Sequence, residues 1–503
     1  MPSVAMFLRS LFAVITLLAT LSTADCNFSP YNFLNTQLSR DSIFTCPEDP
    51  AWGNTTERWS TIGQPTFAAA VTPADEHDLL YIVQAAKRFR FPFLATRSHH
   101  GYSSSLDAIN NGLNVDLSRF DKVTVNATAN TMTIGGGVLF SEILDPLFDA
   151  GKEIPTGACP CVSVLGPALA GGLARYQGLY GLIGDNILSV RIVTGRGDVV
   201  TASSTENTDL FWAVKGAGLN FGVVSEATFK IHDNHARNIV NADYIFSGDK
   251  VEDFYQAMKD LSTKMPPELS LLSIVYFDRE LNGTAFLLNA VYAGSMEPAM
   301  SILSDFNNLG PVRTNISLVP WSVMPYVAGF SAWQPLCSKN RTRSLWSAAL
   351  QSINVTNMVD IYHQYTKLYS EVSDAQASTY ELAVYAPQGV QKTPDEETAV
   401  AYRDVTIHTL PYFEYTNRSL DSFINTFGGR IRDQIAEYSG FGVDFHHYRP
   451  HFPKRERHLR LYSNYAHGDE PLESLWGTRK LRRLRKLKRK WDPANVFGYF
   501  NGF

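Results

Sequence analysis

The sequence predicts an α+β protein built from more than one domain. Residues 62–235 show the pattern of short strands joined by glycine loops, and residues 236–455 alternate longer strand-like runs with amphipathic helices. A length of 503 residues also exceeds what one hydrophobic core ordinarily serves. We therefore expect the second region to form a sheet that has helices on one face and lines an apolar cavity with the other.

A strand–helix–strand unit opens the first region. Residues 68–71 predict a strand, and Thr72 is expected to cap a helix that has proline in its first turn and acidic residues after it. Residues 91–95 predict the second strand, which runs into the polar loop 96–102. Loops placed in this way commonly bind ligands.

The remaining elements follow from hydrophobic periodicity. Further strands are predicted at 113–117, 122–125, 131–134, 189–194, 199–202, 223–231, 271–276, 285–292, 379–385 and 403–409. Helices are predicted at 139–148, 207–214, 251–263, 344–352 and 478–491. The last helix packs nine Lys or Arg residues around a leucine stripe, which favours an amphipathic helix with a solvated basic face over a polyanion-binding segment.

The N-terminus predicts a secreted protein. Arg9 precedes the apolar run 11–21 and the small residues 22–24, as in a signal peptide of residues 1–24; a signal anchor is the alternative. The apolar run is short for a membrane span, and no later stretch is long enough. Eight sequons support glycosylation in the secretory pathway, at Asn27, Asn54, Asn126, Asn282, Asn315, Asn340, Asn354 and Asn417.

The five cysteines leave at least one thiol unpaired or otherwise engaged. Cys26 and Cys46 form a plausible disulfide, which leaves Cys159, Cys161 and Cys337. No metal site is expected, because no second closely spaced Cys or His pair occurs at ligand spacing. A formal net charge of −5 argues against a general nucleic-acid binder.

Four groups of residues resemble, in this order, the FAD-linked oxidases of the berberine bridge enzyme type in the vanillyl-alcohol oxidase superfamily. The resemblance covers residues 65–497 and implies a PCMH-type FAD-binding domain plus a substrate domain with an antiparallel sheet backed by helices. The groups are the histidine loop 95–102, the glycine- and cysteine-rich stretch 157–186, the segments 209–212 with 216–224, and the terminal segments 462–464 with 491–497.

The resemblance implies that His100 is joined to the flavin 8α carbon and Cys159 to flavin C6. Ser98 and His99 stand where the family usually has two glycines, and Gly101 and Tyr102 bring His100 into register. The other residues that it assigns to the cofactor are Thr96, Arg97, Ser98, His99, Gly101, Tyr102, Gly157, Val162, Gly166, Gly171, Gly172, Asn186, Gly222, Val223, Val224 and Asn464.

Alternatives remain at these positions. His100 could be an ordinary hydrogen-bonding loop histidine, and Cys159 and Cys161 could form a bridge or stay buried thiols. Whether Cys161 pairs, stays free or competes for the flavin is open. Val162 is either a packing residue or, as in the family's oxidases, a small side chain that lets oxygen reach the flavin.

The domain hypothesis divides the chain into five parts. They are a signal peptide (1–24), a lead-in (25–61), the FAD-binding domain (62–235), the substrate domain (236–455) and a C-terminal segment that returns to the FAD domain (456–503). The catalytic glutamate of the plant alkaloid enzymes has no match, so the catalytic base stays unknown. Weak candidates are Tyr462, Tyr402, His408 and Tyr412; Tyr462 could equally be core packing.

The function predicted from this resemblance is a secreted, monomeric FAD-dependent oxidase. It would pass a hydride from a small organic substrate to a covalent flavin, with O2 as the second substrate and H2O2 as product, in the tailoring of a polyketide or alkaloid. The alternatives are a carbohydrate or oligosaccharide oxidase, and a catalytically silent secreted binding protein of the same fold.

Overall fold

Two small sheets and one large sheet organise the residues that the computed structural model describes, 29–441 and 459–503. The predicted signal peptide, Cys26 and Asn27 lie outside the described residues. The first sheet has the order β1-β2-β4-β3, with β2, β3 and β4 parallel. Its strands are β1 (Ile43–Thr45), β2 (Phe67–Thr72), β3 (Phe93–Thr96) and β4 (Gly112–Asp116).

The second sheet is antiparallel and follows directly in the chain. Its order is β5-β6-β10-β8-β9, and a two-stranded β7–β11 ribbon accompanies it. The strands are β5 (Val123–Asn126), β6 (Thr131–Gly135), β7 (Lys152–Glu153), β8 (Ile187–Thr194), β9 (Val199–Ser203), β10 (Gly222–Lys230) and β11 (His232–Asp233).

The third sheet has eight strands, all antiparallel. Its order is β15-β12-β14-β13-β18-β19-β16, and β17 also pairs with β19. The strands are β12 (Asn238–Ser247), β13 (Leu269–Asp278), β14 (Gly283–Tyr292), β15 (Arg313–Pro320), β16 (Thr342–Leu345), β17 (Ala348–Leu350), β18 (Thr379–Tyr385) and β19 (Ile407–Tyr415).

Sixteen α-helices lie in the described part of the chain, and none of them is both long and apolar enough to cross a membrane. They are α1 (Ser29–Gln37), α2 (Trp52–Thr56), α3 (Glu76–Phe89), α4 (Phe140–Asp149), α5 (Leu165–Ala168), α6 (Gln177–Tyr180), α7 (Thr208–Ala217), α8 (Val251–Ser262), α9 (Met296–Ile302), α10 (Ser304–Asn308), α11 (Met324–Val327), α12 (Val355–Glu371), α13 (Gln388–Gln391), α14 (Asp421–Glu437), α15 (Leu472–Trp476) and α16 (Thr478–Trp491).

Helices cover one face of the large sheet. Phe286 of β14 stacks against Phe254 of α8 and Tyr362 of α12, with ring centroids 5.0 Å and 4.8 Å apart. Successive strand residues point to opposite faces, so the neighbouring Leu287 lies on the other face, toward a cavity. The predicted α+β class and the sheet backed by helices are confirmed.

Three predictions about single elements are wrong in detail. The cap of α3 is Asp75, whose carboxylate accepts from the backbone N–H groups of His77 and Asp78, whereas Thr72 ends β2. The predicted strand 403–409 begins only at Ile407. The predicted helix 344–352 is the strand pair β16 and β17, because backbone pairing with β19 outweighs the local helical periodicity.

Candidate active site

One cavity of about 970 Å³ lies between the large sheet and the loops that follow the smaller sheets. Residues of the loops 96–102 and 157–167 form one wall, which we call the loop wall. Side chains of β12, β13, β14, β18 and β19 form the facing wall, which we call the sheet wall. The volume is that of a site for a small molecule or a cofactor.

Five side chains form one row across the sheet wall. Strand register places Ile245 opposite Leu287, Leu287 opposite Ile274, Ile274 opposite Glu381, and Glu381 opposite Leu410. Residues directly opposite one another on paired strands project to the same face, and all five line the cavity. A single carboxylate therefore interrupts a row of branched aliphatic side chains.

The environment of Glu381 suits a proton acceptor. Its carboxylate has no hydrogen-bond or ion-pair partner among residues 29–441 and 459–503. Burial raises the pKa of Glu381 from 4.5 to about 7, and the nearby Arg175 guanidinium opposes that rise. A carboxyl group with a pKa near neutrality can take up a proton and release it again at working pH.

The other acidic side chains of the cavity are occupied. Asp278 pairs with Tyr276, Glu280 with Arg313, and Glu414 with Arg341, Arg343 and Tyr412. Within the described part of the chain, Glu381 is thus the one acidic residue of the cavity whose carboxylate is free.

Arg175 is a buried cation behind the loop wall. Its side chain is 2% exposed, and its three guanidinium nitrogens have no hydrogen-bond partner in the described part of the chain. The guanidinium lies over the ring of Trp333, 5.4 Å from the centroid. Burial lowers the pKa of Arg175, while the charges of Tyr385 and Glu381 raise it.

The histidine loop after β3 places two histidines at the cavity, of which His99 is buried and His100 half-buried. His100 stacks on Trp59, with centroids 5.7 Å apart, and its Nδ1 lies 2.9 Å from the carbonyl oxygen of Ser98. His99 has a φ of 62°, in the left-handed region that favours glycine, and its buried Nδ1 has no described partner. Burial lowers the pKa of His100 to about 4 and that of His99 to about 2, so both rings are neutral at pH 7.

The structure shows the bonding state of the two cysteines in the loop 157–167. Cys161 forms a disulfide with Cys337, with the two Cα atoms 6.0 Å apart. Cys159 is a free thiol on the loop wall, and burial raises its pKa to about 12. Cys46 is disulfide-bonded, while Cys26 lies outside the described residues. Pairing with Cys337 thus removes Cys161 from the competition for a flavin that the sequence left open.

The Cys161–Cys337 disulfide ties the loop wall to the segment that follows α11, residues 328–338, which we call the strap. Phe330, Trp333 and Leu336 of the strap line the cavity. The strap therefore forms part of the lining, between the sheet wall and the loop wall.

A buried carboxylate holds the other end of the strap. Asp243 of β12 is 0% exposed and accepts hydrogen bonds from the backbone N–H groups of Gly329, at 2.8 Å, and Phe330, at 3.0 Å. The side-chain amides of Asn241 and Asn289 donate two more. Phe330 has a φ of 54°, a conformation that an aromatic residue adopts only at an energetic cost, and these bonds stabilise it.

Tyr462 and Asn464 reach the loop wall from the C-terminal segment. The Tyr462 hydroxyl donates to the carbonyl oxygen of Pro167 at 3.2 Å, and the Asn464 amide donates to that of Gly166 at 3.1 Å. The Asn464 amide also lies 3.1 Å from the Tyr462 oxygen. Burial raises the pKa of Tyr462, so its hydroxyl stays protonated. Its contacts make Tyr462 part of the cavity and not only of the core.

Glycines and unpaired polar atoms in the loop wall fit a bound flavin. A Cβ added at Gly157 would meet no protein atom closer than 3.4 Å, so packing does not require glycine there. By contrast, a Cβ at Gly136 would lie 2.2 Å from a carbonyl oxygen, which requires glycine for the fold itself. Tyr102 and Asn464 each have a buried side-chain oxygen without a described hydrogen-bond partner, as expected where a bound ligand provides that partner.

The structure brings together most of the residues that the sequence assigned to the cofactor. The cavity is lined by Thr96, Arg97, Ser98, His99, His100, Gly101, Tyr102, Gly157, Cys159, Val162, Gly166, Gly222, Val223 and Asn464. Gly171 and Gly172 line a separate cavity of about 40 Å³. Asn186 and Val224 line neither; the Asn186 amide donates to the carbonyl oxygens of Tyr180 and Leu182.

Two of the weak catalytic candidates lie away from the large cavity. Tyr402 and His408 line the small cavity, where burial lowers the pKa of His408 to about 3. Tyr412 does line the large cavity, but its hydroxyl donates to Glu414.

Sequence reasoning missed Glu381, Asp243 and the partner of Cys161. A signal for Glu381 exists, because it is the only charged residue of the predicted strand 379–385 and stands among apolar and aromatic neighbours. Asp243 and Cys337 carry no comparable local signal, since their partners are 86 and 176 residues away.

Sequence comparisons match both ends of this arrangement. A family described as "FAD binding domain" matches residues 67–203, and one described as "Berberine and berberine like" matches residues 461–502. FAD-linked oxidoreductase OXR1 of Pyricularia oryzae is 33% identical over 449 residues, which cover 89% of this chain and 86% of that protein. FAD-linked oxidoreductase azaL of Aspergillus niger is 32% identical over 477 residues, covering 94% of this chain and 98% of that protein.

Solved structures share the fold at low sequence identity. BBE-like 1 of Physcomitrella patens superposes with a TM-score of 0.80 at 20% identity and covers 93% of this chain and 98% of that chain. The carbohydrate oxidase of Microdochium nivale gives a TM-score of 0.77 at 22% identity, covering 94% of this chain and 99% of that chain. The glucooligosaccharide oxidase of Acremonium strictum, described as having a novel flavinylation, gives 0.76 at 22%, covering 94% and 98%.

Proposed function

The chain belongs to the FAD-linked oxidoreductases of the berberine bridge enzyme-like family, and from this premise we propose that it oxidises an apolar organic substrate with a covalently held flavin. The observation that carries the proposal is Glu381, a free carboxylate with a pKa of about 7 in an aliphatic row of the sheet wall. It stands across the cavity from the loops that the sequence assigns to the flavin.

The chemistry that a bound FAD would supply is acceptance of a hydride from the substrate carbon and, with one further proton, reduction of O2 to H2O2. Glu381 takes the proton that the substrate releases from its oxygen, nitrogen or activated carbon. The aliphatic row and the strap keep water away from that proton, which strengthens electrostatic interactions around it. Arg175 supplies a fixed positive charge that stabilises the carboxylate form of Glu381.

The loop wall provides two covalent links in this proposal, His100 first and Cys159 second. His100 is neutral at pH 7, so a ring nitrogen keeps the lone pair that a bond to carbon needs. Cys159 is the one free thiol in the described part of the chain. The glucooligosaccharide oxidase of Acremonium strictum, whose structure is described as revealing a novel flavinylation, supports a link between flavin and protein on this fold.

The sheet wall favours an apolar, ring-containing substrate. Ile245, Leu272, Ile274, Leu287 and Leu410 face the cavity. The aromatic strap residues Phe330 and Trp333 also line it. A sugar chain lying against the aliphatic row would leave hydroxyl groups there without hydrogen bonds, which is costly. Tailoring of a polyketide or alkaloid therefore fits better than oxidation of an oligosaccharide.

The remaining parts of the proposal rest on the sequence. We propose the five-part division of the chain, with boundaries at 24, 61, 235 and 455, and a secreted, glycosylated monomer. Val162 lines the cavity beside Cys159 and is proposed to leave O2 a path to the flavin. A valine side chain obstructs the approach of O2 along the loop wall less than a bulkier side chain at position 162 would.

The flavin itself provides the test. Purified protein precipitated with acid should give a yellow pellet, because covalent links survive unfolding. The protein is then mixed anaerobically with each member of a panel of aromatic alcohols, phenols, amines and oligosaccharides. At least one apolar compound should reduce and so bleach the flavin, and air should restore the colour. Bleaching by oligosaccharides alone would overturn the substrate class. No bleaching by any member would favour a silent binding protein, and no recovery in air would point to a dehydrogenase.

A further inference from the structure

The exposed face of α16 carries four cations that have no partner. Arg482, Arg485, Lys486 and Arg489 are exposed. None of them makes a hydrogen bond or an ion pair with any residue of 29–441 or 459–503. Their positions i, i+3, i+4 and i+7 place them on one side of the helix, and we call them the stripe.

The other basic residues of α16 are engaged, which sets the stripe apart from an ordinary solvated face. Lys480 contacts Asp395 at 2.7 Å, Lys488 contacts Asp492 at 2.8 Å, and Lys490 contacts Asp209 at 2.6 Å. Arg479 also pairs with Asp395, and the Arg483 guanidinium lies 3.8 Å from the ring centroid of Trp212. The protein therefore pairs most of the other cations of the helix and leaves the stripe, from Arg482 to Arg489, without acidic partners in the described part of the chain.

This arrangement is unfavourable for the free protein. Helix neighbours three and four residues apart repel one another when they carry the same charge, and the stripe contains four such pairs. The helix also has no acidic residue in its first turn. Nine of the 44 Lys and Arg residues and none of the 49 Asp and Glu residues lie on α16, so the rest of the chain has a formal net charge of −14. The repulsion between neighbouring cations of the stripe breaks a local charge rule, and such a break marks a candidate functional surface.

We propose that the stripe binds a linear acidic polysaccharide, with uronate or sulfate groups on successive cations. Positions three and four residues apart on a helix are about 5–6 Å apart, so one anionic group every one or two sugars can reach a cation. Each contact releases counterions from the polymer and relieves repulsion within the stripe. The site is separate from the cavity, so the proposal is independent of the proposed oxidase function.

A linear glycan fits the surroundings better than a membrane or a nucleic acid. A helix that lies on an anionic bilayer inserts apolar side chains beside its cations. No large apolar side chain is exposed on α16 for insertion, since the leucines and Trp491 are buried. Single-stranded nucleic acids are held by exposed aromatic rings beside the cations, and Trp212 and Trp491 are 5% and 2% exposed.

Binding to immobilised polygalacturonate and dextran sulfate tests the proposal. The full-length holoprotein should bind both polymers at about 50 mM salt and elute by about 500 mM salt, although its net charge is −5. The variant Arg482→Gln/Arg485→Gln/Lys486→Gln/Arg489→Gln should bind at least about tenfold more weakly. Circular dichroism checks that α16 remains folded.

The matched control is Arg40→Gln/Lys122→Gln/Lys230→Gln/Lys264→Gln, which replaces four exposed cations elsewhere and reaches the same net charge of −9. It should bind like the wild type. Equal weakening in both variants, or no binding by the wild type, would overturn the proposal. Tighter binding to polyuridylate, or to vesicles with about 30% phosphatidylserine in phosphatidylcholine, would assign the stripe to a nucleic acid or a membrane instead.

Discussion

The loop wall and the sheet wall of the cavity are built in different ways. The loop wall consists of two short continuous segments, 96–102 and 157–167, and it holds glycines, His100 and Cys159. The sheet wall takes between one and four side chains from each of five strands, and five of its twelve side chains are aliphatic. Continuous loops can surround a cofactor closely. In a sheet, every second residue of each strand projects to the same face, and such a face can shape a substrate pocket.

This difference separates two properties that experiments can measure independently. Changes in the loop wall should alter how the flavin is held, and changes in the sheet wall should alter how fast a substrate reduces it. The strap contacts both walls through Cys337 and Asp243, so it should affect both properties mildly.

The largest expected effect concerns covalent attachment. The double variant His100→Ala/Cys159→Ser should release all of its flavin into the supernatant after acid precipitation, because both links are gone. Each single variant should keep a yellow pellet through the other link. Peptide mass spectrometry of the wild type should find flavin on both residues.

The pair Cys161→Ser/Cys337→Ser is the matched control, since it removes sulfur from the same loop and opens the disulfide. It should retain the flavin on Cys159. Flavin found on Cys161 in the wild type, or full retention by the His100/Cys159 double variant, would show that the loop wall is assigned incorrectly.

The second effect is a pH dependence that originates in the sheet wall. Glu381 must be ionised to accept a proton, so the rate of anaerobic flavin reduction should fall about tenfold per pH unit below about 7. Arg175→Met removes the charge that lowers the pKa of Glu381, and should therefore shift the fall in rate to higher pH. A rate that stays flat between pH 5 and 8, about three units around that pKa, would exclude Glu381 as the base.

The contrast between the walls also explains what the sequence could predict. The loop wall and the helix α16 could be predicted, because His100, Cys159 and the regularly spaced leucines of α16 belong to short local patterns. The sheet wall could not, because Glu381 meets Ile274 and Leu410 only through strand register. The predicted helix 344–352 was wrong for the same reason, since pairing with β19 decides its backbone.

A third and smaller effect concerns the strap. Asp243→Asn puts an amide where a carboxylate accepts four N–H groups, and it should lower the free energy of unfolding by about 1–3 kcal/mol. Substrate should also bind more weakly, while the flavin stays attached. Denaturant unfolding measures the first effect, and Asp121→Asn, at an exposed position, is the control. Equal stability of the two variants would remove Asp243 from this role.

The smallest effect lies outside both walls. Replacing Arg482, Arg485, Lys486 and Arg489 by Gln removes four like-charge pairs, and should raise the free energy of unfolding by about 1 kcal/mol at low salt. The gain should disappear at about 1 M salt, where such interactions are screened. A variant that is less stable than the wild type at low salt would contradict the repulsion inferred for α16.

The division between the walls is tested most directly by stopped-flow anaerobic reduction of Glu381→Gln, with Glu280→Gln as the same substitution at an ion-paired residue of the cavity. Glu381→Gln should keep the wild-type flavin content and acid-stable colour, while its rate constant for flavin reduction falls by about 10²–10⁴. Glu280→Gln should stay close to the wild type. A Glu381→Gln variant that reduces its flavin at the wild-type rate would contradict the account.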